Sequence, residues 1–319
     1  MWAFRMENPP LTAFVLGAGL GTRLKSLTAR RPKPLIPVCN EPLITRSFAH
    51  LHSAGVRNFV VNTHWQAHVY SSFFPSNSWK DCRITFSHES PEVLETAGGI
   101  KHAQSLLPQD SPFWVYNGDI MSDLPLRKAL ETHLQSGNEA TLVLRSKDGP
   151  LQVSFDESSG KIRDIGRRLF PAEDPSFLFT GIYLLNPEFL SRIPCNTKLS
   201  VVPLFIDMIH EGAKIGGVVI DEGVWWDLGS RDQVLAVHSS LAGSSTNPAP
   251  WIAANAEIDP TARLLGACAV GGHSEIGAGA ILENCIVWER AKVAAHSNLR
   301  NCIITSDVTI SGNHADADL

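Results

Sequence analysis

No stretch of this 319-residue chain approaches the ~20 consecutive apolar residues of a membrane-spanning helix. The first eleven residues, MWAFRMENPPL, put Glu7 and two prolines where a secretory leader needs an unbroken apolar run. A cytoplasmic protein is therefore expected. The six cysteines are scattered and include no CxxC pair, so neither a zinc ribbon nor a disulfide framework is suggested and reduced thiols are expected. A formal net charge of −5 lacks the basic excess of a general nucleic-acid binder, although focused cations and backbone amides can still hold a polyphosphate. Two familiar glycine loops are missing as well. No lysine follows Gly21, which excludes a Walker loop, and Gly17, Gly19 and Gly21 are spaced GxGxG rather than the GxGxxG of a dinucleotide site. No nucleophile–histidine–carboxylate set stands out.

What is present is an ordinary globular composition, 44% hydrophobic and 18% charged, with length enough for two domains. Short apolar runs at Thr12–Leu16, Asn58–Asn62, Cys82–Ser87, Phe113–Tyr116 and Ala140–Leu144 read as buried strands. Amphipathic stretches at Leu43–Ala54, Thr96–Leu106 and Leu126–Gln135 read as helices between them. This alternation predicts an α/β domain, 1–241, around a mostly parallel sheet whose two faces are covered by helices.

A small, polar, proline-containing stretch at 242–250 reads as a linker. In 251–319 aliphatic residues then recur every six positions: Ile252, Ile258, Leu264, Val270, Ile276 and Leu282. After a slip of one residue a second series runs through Ile281, Val287, Val293 and Leu299, and small residues follow at the fourth place after most of these. Such a period predicts a hexapeptide parallel β-helix, each hexad forming one side of a coil. Cys268, Cys285 and Cys302 would stack inside it. The tail is expected to be structural or to mediate self-association into a homo-oligomer.

The segment Leu16–Pro37, LGAGLGTRLKSLTARRPKPLIP, follows directly on the first strand, where an α/β sheet places its ligand site. Its three glycines let the backbone bend tightly and bring N–H groups to an anion. Arg23 offers a planar fork for phosphate oxygens, and Lys33 is held between Pro32 and Pro34.

GAGLGTRL followed by RRPKPLIPV resembles the signature of the sugar-1-phosphate nucleotidyltransferases, which include mannose-1-phosphate guanylyltransferases and N-acetylmuramate-1-phosphate uridylyltransferases. Leu94–Ile100 (LETAGGI), Asn117–Asp119 (NGD), Thr180–Tyr183 (TGIY) and Trp226–Gly229 (WDLG) follow in the family's order, so the likeness runs over about 12–241. The hexapeptide tail resembles that of the two-domain members. The resemblance implies a Rossmann-like nucleotidyltransferase sheet with a left-handed parallel β-helix. It also implies an enzyme that joins an NTP to a sugar 1-phosphate with Mg²⁺ as cofactor. Arg23, Lys33, Asp119 and Asp227 are the catalytic candidates, and Asp119 and Asp227 the implied metal ligands. Leu16, Gly17, Ala18, Gly19, Gly21, Thr22, Glu89, Glu95 and Gly98 are implied at the nucleotide, with Asn117, Thr180 and Gly181 at the sugar.

The chemistry is consistent with that set. Mg²⁺ takes few carboxylates and completes its octahedron with water and phosphates. A phosphate monoester with a second pKa near ~6 is already an anionic nucleophile at neutral pH, so no general base is required. A carboxylate at Glu89 could accept from both N1–H and N2–H₂ of guanine, or from the single N3–H of uracil or thymine. GTP with mannose 1-phosphate or a related hexose or heptose 1-phosphate is the first expectation, UTP with an N-acetylated sugar 1-phosphate the second. The stretch IRDIGRR stands where many members carry a Glu-Lys pair, which leaves the sugar open. The alternative is a catalytically silent paralogue that binds an NDP-sugar; retention of all four catalytic candidates argues against it.

Overall fold

The first strand, Thr12–Leu16, pairs in parallel with Asn58–Thr63 on one side and Phe113–Asn117 on the other. The protein is described by a computed structural model covering residues 11–243 and 249–319; most of the expected linker, residues 244–248, lies outside the described residues. The chain forms two compact units, Ile44–Trp226 with the residues up to Leu20, and Gly21–Leu43 with Asp227–Leu319.

In the first unit a ten-stranded sheet runs in the order Val153–Asp156, Lys161–Ile165, Ile215–Val219, Ala140–Arg145, Leu178–Leu185, Phe113–Asn117, Thr12–Leu16, Asn58–Thr63, Cys82–His88, Ser78–Trp79. The central strands are parallel, and Leu178–Leu185 runs antiparallel to both of its neighbours. Phe14, Val15, Val61 and Val115 are fully or almost fully buried, which is why these strands read as apolar runs without alternation. The predicted helices appear as Leu43–Ser53, Glu95–His102 and Arg127–Ser136. The expected Thr96–Leu106 helix is broken at Ala103 into a helix and a separate 3-10 turn, Gln104–Leu106. Gly98 and Gly99 give it little intrinsic helical stability. Among the described residues no helix is long and apolar enough to cross a membrane.

Parallel pairing puts Leu16 beside Asn62 and Asn117, so the turns after all three strands leave the same edge of the sheet. At that edge Arg145, with 0% exposure, donates to the carbonyls of Ile220 (3.1 Å), Glu222 (3.0 Å) and Gly223 (3.3 Å). Asp123 Oδ1 accepts from the Val224 N–H at 2.6 Å. Together they fix residues 220–224, which lead into the short ladder that Trp225 begins against Ile120–Ser122.

The second unit carries three four-stranded parallel sheets, one per side of a parallel β-helix. Val270, Ile276, Leu282, Val287, Val293, Leu299 and Ile304 fill its interior. The six-residue period is therefore real, and the slip of one residue falls between Leu282 and Val287, where the two series meet. Leu264, Leu282 and Leu299 stack in register, and it is Leu282, not Ile281, that points inward. The shortened sides run from Leu282 to Val287 and from Leu299 to Ile304, turning at Asn284 (φ 51°) and Asn301 (φ 50°). Asparagine tolerates this left-handed conformation better than most side chains. Cys268, Cys285 and Cys302 stack inside as expected, the Cys285 N–H donating to Cys268 Sγ at 3.4 Å.

The Gly21–Leu43 segment belongs to this unit and is bonded to it at several points. Arg31 forms an ion pair with Glu289, donates to Ser306 Oγ at 3.1 Å, and lies 4.7 Å over the Trp288 ring. The Cys39 N–H donates to His238 Nε2 at 2.9 Å. Asn40 Nδ2 donates to the carbonyls of Trp251 (2.9 Å) and Val270 (3.0 Å). Asn40→Ala is expected to lower stability by about 1–2 kcal/mol through those two lost bonds, read as a lower Tm in a thermal melt.

Candidate active site

In the first unit the glycine turn is held from both sides of one residue. The Gly17 N–H donates to Asn62 Oδ1 at 2.7 Å, and Tyr70 OH donates to the Gly17 carbonyl at 2.8 Å. Burial raises the Tyr70 pKa far above its ordinary value, so the phenol remains a donor. A Cβ at Gly17 would lie 2.6 Å from the Asn62 carbonyl, so only glycine allows this approach. Leu16 is half-buried, Ala18 is buried, and Gly19 is exposed with nothing within 4 Å of an added Cβ. Gly19 is thus not demanded by the protein's own packing.

Glu89 is buried and held from two sides. Its carboxylate is 0% exposed; Oε1 accepts from Asn62 Nδ2 and Oε2 from the Leu94 N–H, both at 2.7 Å. Both oxygens thus accept hydrogen bonds from within the protein. Glu95 is exposed and opens its helix with φ 60°, a strained value for a non-glycine residue. Gly98 packs tightly, since a Cβ there would lie 2.3 Å from the Thr197 carbonyl. His64 Nδ1 lies 2.9 Å from the Glu89 carbonyl, and Trp65 is exposed.

The sugar candidates converge at a bulge. The pairing of Leu178–Leu185 shifts register between Phe179 and Tyr183, and Gly181 there takes φ 78°. A Cβ on it would lie 2.4 Å from Asn117 Nδ2, so the Asn117 amide covers that glycine. Thr180 is buried; its hydroxyl donates to the Val143 carbonyl at 2.8 Å, and its own carbonyl accepts from Trp225 Nε1 at 2.9 Å. Asp119 is half-buried in the turn after Phe113–Asn117. In IRDIGRR the Asp164 carboxylate accepts from the N–H groups of Arg168, Leu169 and Phe170, and Arg167 pairs with Asp174.

In the second unit three of the four catalytic candidates meet. Gly21 (φ 63°) starts the turn Thr22–Thr28, which is tied back by Thr28 Oγ1 donating to the carbonyls of Gly21 (3.0 Å) and Lys25 (3.2 Å). Leu24 and Leu27 are buried, which turns Thr22 and Arg23 outward. Lys33 is only 6% exposed, and its Nζ lies 3.7 Å from Asp227 Oδ1. The largely exposed Arg23 guanidinium lies 3.9 Å from Asp227 Oδ2 and covers Gly229, where a Cβ would sit 2.6 Å from it. The Asp227 carboxylate, one-third exposed, so lies between two cations with neither at hydrogen-bond distance. An oxygen donor of this kind fits a hard divalent cation as well as it orients an ammonium.

Several residues of consequence carry no motif of their own. Asn62 and Tyr70 act on Gly17, and Arg145 and Arg31 act on segments far away in sequence. A buried polar residue at the end of an apolar strand, as in FVVNT, is the available signal for Asn62.

Comparison with known proteins places the chain in a family. The family profile described as "Nucleotidyl transferase" matches residues 12–244. The chain is 30% identical over 295 residues to mannose-1-phosphate guanylyltransferase 1 of Arabidopsis thaliana, covering 86% of this chain and 78% of that one. It is 28% identical over 271 residues to the mannose-1-phosphate guanylyltransferase catalytic subunit beta of Xenopus tropicalis, covering 80% and 73%. The solved inositol-1-phosphate CTP transferase from T. maritima shares the fold, with a TM-score of 0.61 and 16% identity over 71% of this chain and 92% of that one. With the signature segment, the parallel sheet and the extent of these matches together, the chain belongs to the nucleotidyl transferase family.

Proposed function

We propose that this enzyme transfers a nucleoside monophosphate from an NTP to a sugar 1-phosphate, giving an NDP-sugar and pyrophosphate. The observation that carries the reading is the cluster in which Lys33 and Arg23, on the segment that follows the glycines in sequence, flank Asp227. The sugar phosphate supplies an oxygen that forms a bond to the α-phosphorus, and the bond from that phosphorus to the bridging oxygen of pyrophosphate breaks. Since the nucleophile is already an anion, the task left to the protein is positioning and charge neutralisation. The glycine turn and the exposed Arg23 would hold the departing phosphates. Lys33, buried along its stem, would present its ammonium to the reacting phosphates. Asp119 and Asp227 are the residues assigned to hold magnesium. Such an ion, when bound, withdraws charge from the α-phosphate and the incoming oxygen.

GTP with mannose 1-phosphate is the favoured pair, on the names of the relatives. With both Glu89 oxygens internally bonded, the argument from a guanine-reading carboxylate no longer supports it. The test is pyrophosphate release from GTP, UTP, dTTP, CTP and ATP, each crossed with a panel of hexose and N-acetylhexosamine 1-phosphates, in Mg²⁺. A single dominant pair is expected, with Asp119→Asn lowering it by at least about 10²-fold. Equal rates for all pairs would refute the substrate assignment.

A further inference from the structure

The structure points to Glu89 and Asn62 as a positioning pair that sets the donor–acceptor polarity of the glycine turn, and we infer that this pair governs NTP binding. A carboxylate can only accept, so Glu89 Oε1 draws the Asn62 amide nitrogen toward itself at 2.7 Å. That leaves Asn62 Oδ1 facing the Gly17 N–H, also at 2.7 Å. The second oxygen of Glu89 takes the Leu94 N–H, just ahead of the helix Glu95–His102. One buried acid thus ties together the turn after the first strand and the start of the LETAGGI helix.

Asn62 and Glu89 are 2% and 0% exposed, so water does not substitute for a lost partner at either residue. The space is built for the pair: a Cβ on Gly99 would lie 2.5 Å from Glu89 Oε1 and 2.8 Å from Asn62 Nδ2. The inference rests on reading the Gly17–Gly21 turn as the triphosphate site.

The chain of polarity gives a test by inversion. In Glu89→Gln the new amide cannot accept from both Asn62 Nδ2 and the Leu94 N–H. If its nitrogen faces Asn62, the Asn62 amide turns over and opposes its own N–H groups to that of Gly17. Asn62→Asp keeps an acceptor for Gly17 but sets two carboxylates against each other. The double change Asn62→Asp/Glu89→Gln restores every donor to an acceptor, with the same charge as the wild type.

The measurement is steady-state kinetics with varied NTP and varied sugar 1-phosphate for wild type, both single variants and the double, with thermal melts alongside. Each single is expected to raise the KM for NTP about tenfold or more, the size of one unsatisfied buried donor, with a much smaller effect on the KM for sugar 1-phosphate. The double should return to within about threefold of wild type, and Gly99→Ala should behave like the singles. Losses that multiply in the double, or singles with unchanged KM for NTP, would overturn the assignment. A wild type that transfers no nucleotide from any NTP would instead remove the reaction itself, and the inference with it.

Discussion

Lys33→Ala is expected to lower kcat/KM for nucleotidyl transfer by about 10²–10³, the usual cost of removing one preorganised charge from a transition state. The lysine is aimed before any substrate arrives. Its neighbours Pro32 and Pro34 restrict the backbone, only 6% of it is exposed, and Asp227 faces its ammonium at 3.7 Å. Lys33→Arg should not rescue it, because a wide planar fork does not fit where a compact ammonium is buried. Steady-state rates with both substrates saturating, and again with each limiting, check this. A kcat/KM within threefold of wild type would mean that Lys33 has a structural role only.

The second large effect is on stability. Arg31→Ala is expected to destabilise the fold by about 3 kcal/mol, since it leaves the Glu289 carboxylate mostly buried without its cation and removes a stacking partner from Trp288. The contribution has a characteristic pH dependence. Burial alone would raise the Glu289 pKa, but the hydrogen bond and charge of Arg31 outweigh it and hold the carboxyl below its usual value. A depressed folded pKa means stabilisation that is complete above the ordinary glutamate value of 4.5 and lost as pH falls through the lower folded value. Urea titrations of wild type and Glu289→Gln should therefore differ at pH 7, with the difference shrinking progressively once the pH falls below 4.5. A constant difference down to pH 3 would contradict the assignment. Because Arg31 lies on the segment that also carries Arg23 and Lys33, both variants should lose activity in parallel with stability.

How far the residues alone reach differs between fold and site. The central strands were legible because burial on both faces leaves unbroken apolar runs, and the β-helix because each of its sides repeats the same inward position. At the corner slip Ile281 and Leu282 are both aliphatic, and only the ladder through Leu264 and Leu299 shows which of them points inward. Arg23, Lys33 and Asp227 are candidates by motif likeness, and the second unit brings the three together. Glu89 is legible as a residue beside a motif, but its bonds to Asn62 and Leu94 are not. Position beside a motif reports neighbourhood; which way a carboxylate turns depends on Asn62 and Leu94, and nothing in the local sequence encodes that. The bonds from Arg31 to Glu289 and from Asn40 to Trp251 join distant segments, so no single window contains both partners.

The most direct test of the central claim is ³¹P NMR of the purified enzyme incubated with GTP, mannose 1-phosphate and MgCl₂. The account predicts that pyrophosphate and the paired resonances of an NDP-sugar grow in equal amounts, while the γ-phosphate signal and the sugar 1-phosphate signal decline together. Release of inorganic phosphate with the sugar 1-phosphate untouched, or no change while an NDP-sugar binds tightly, would contradict it.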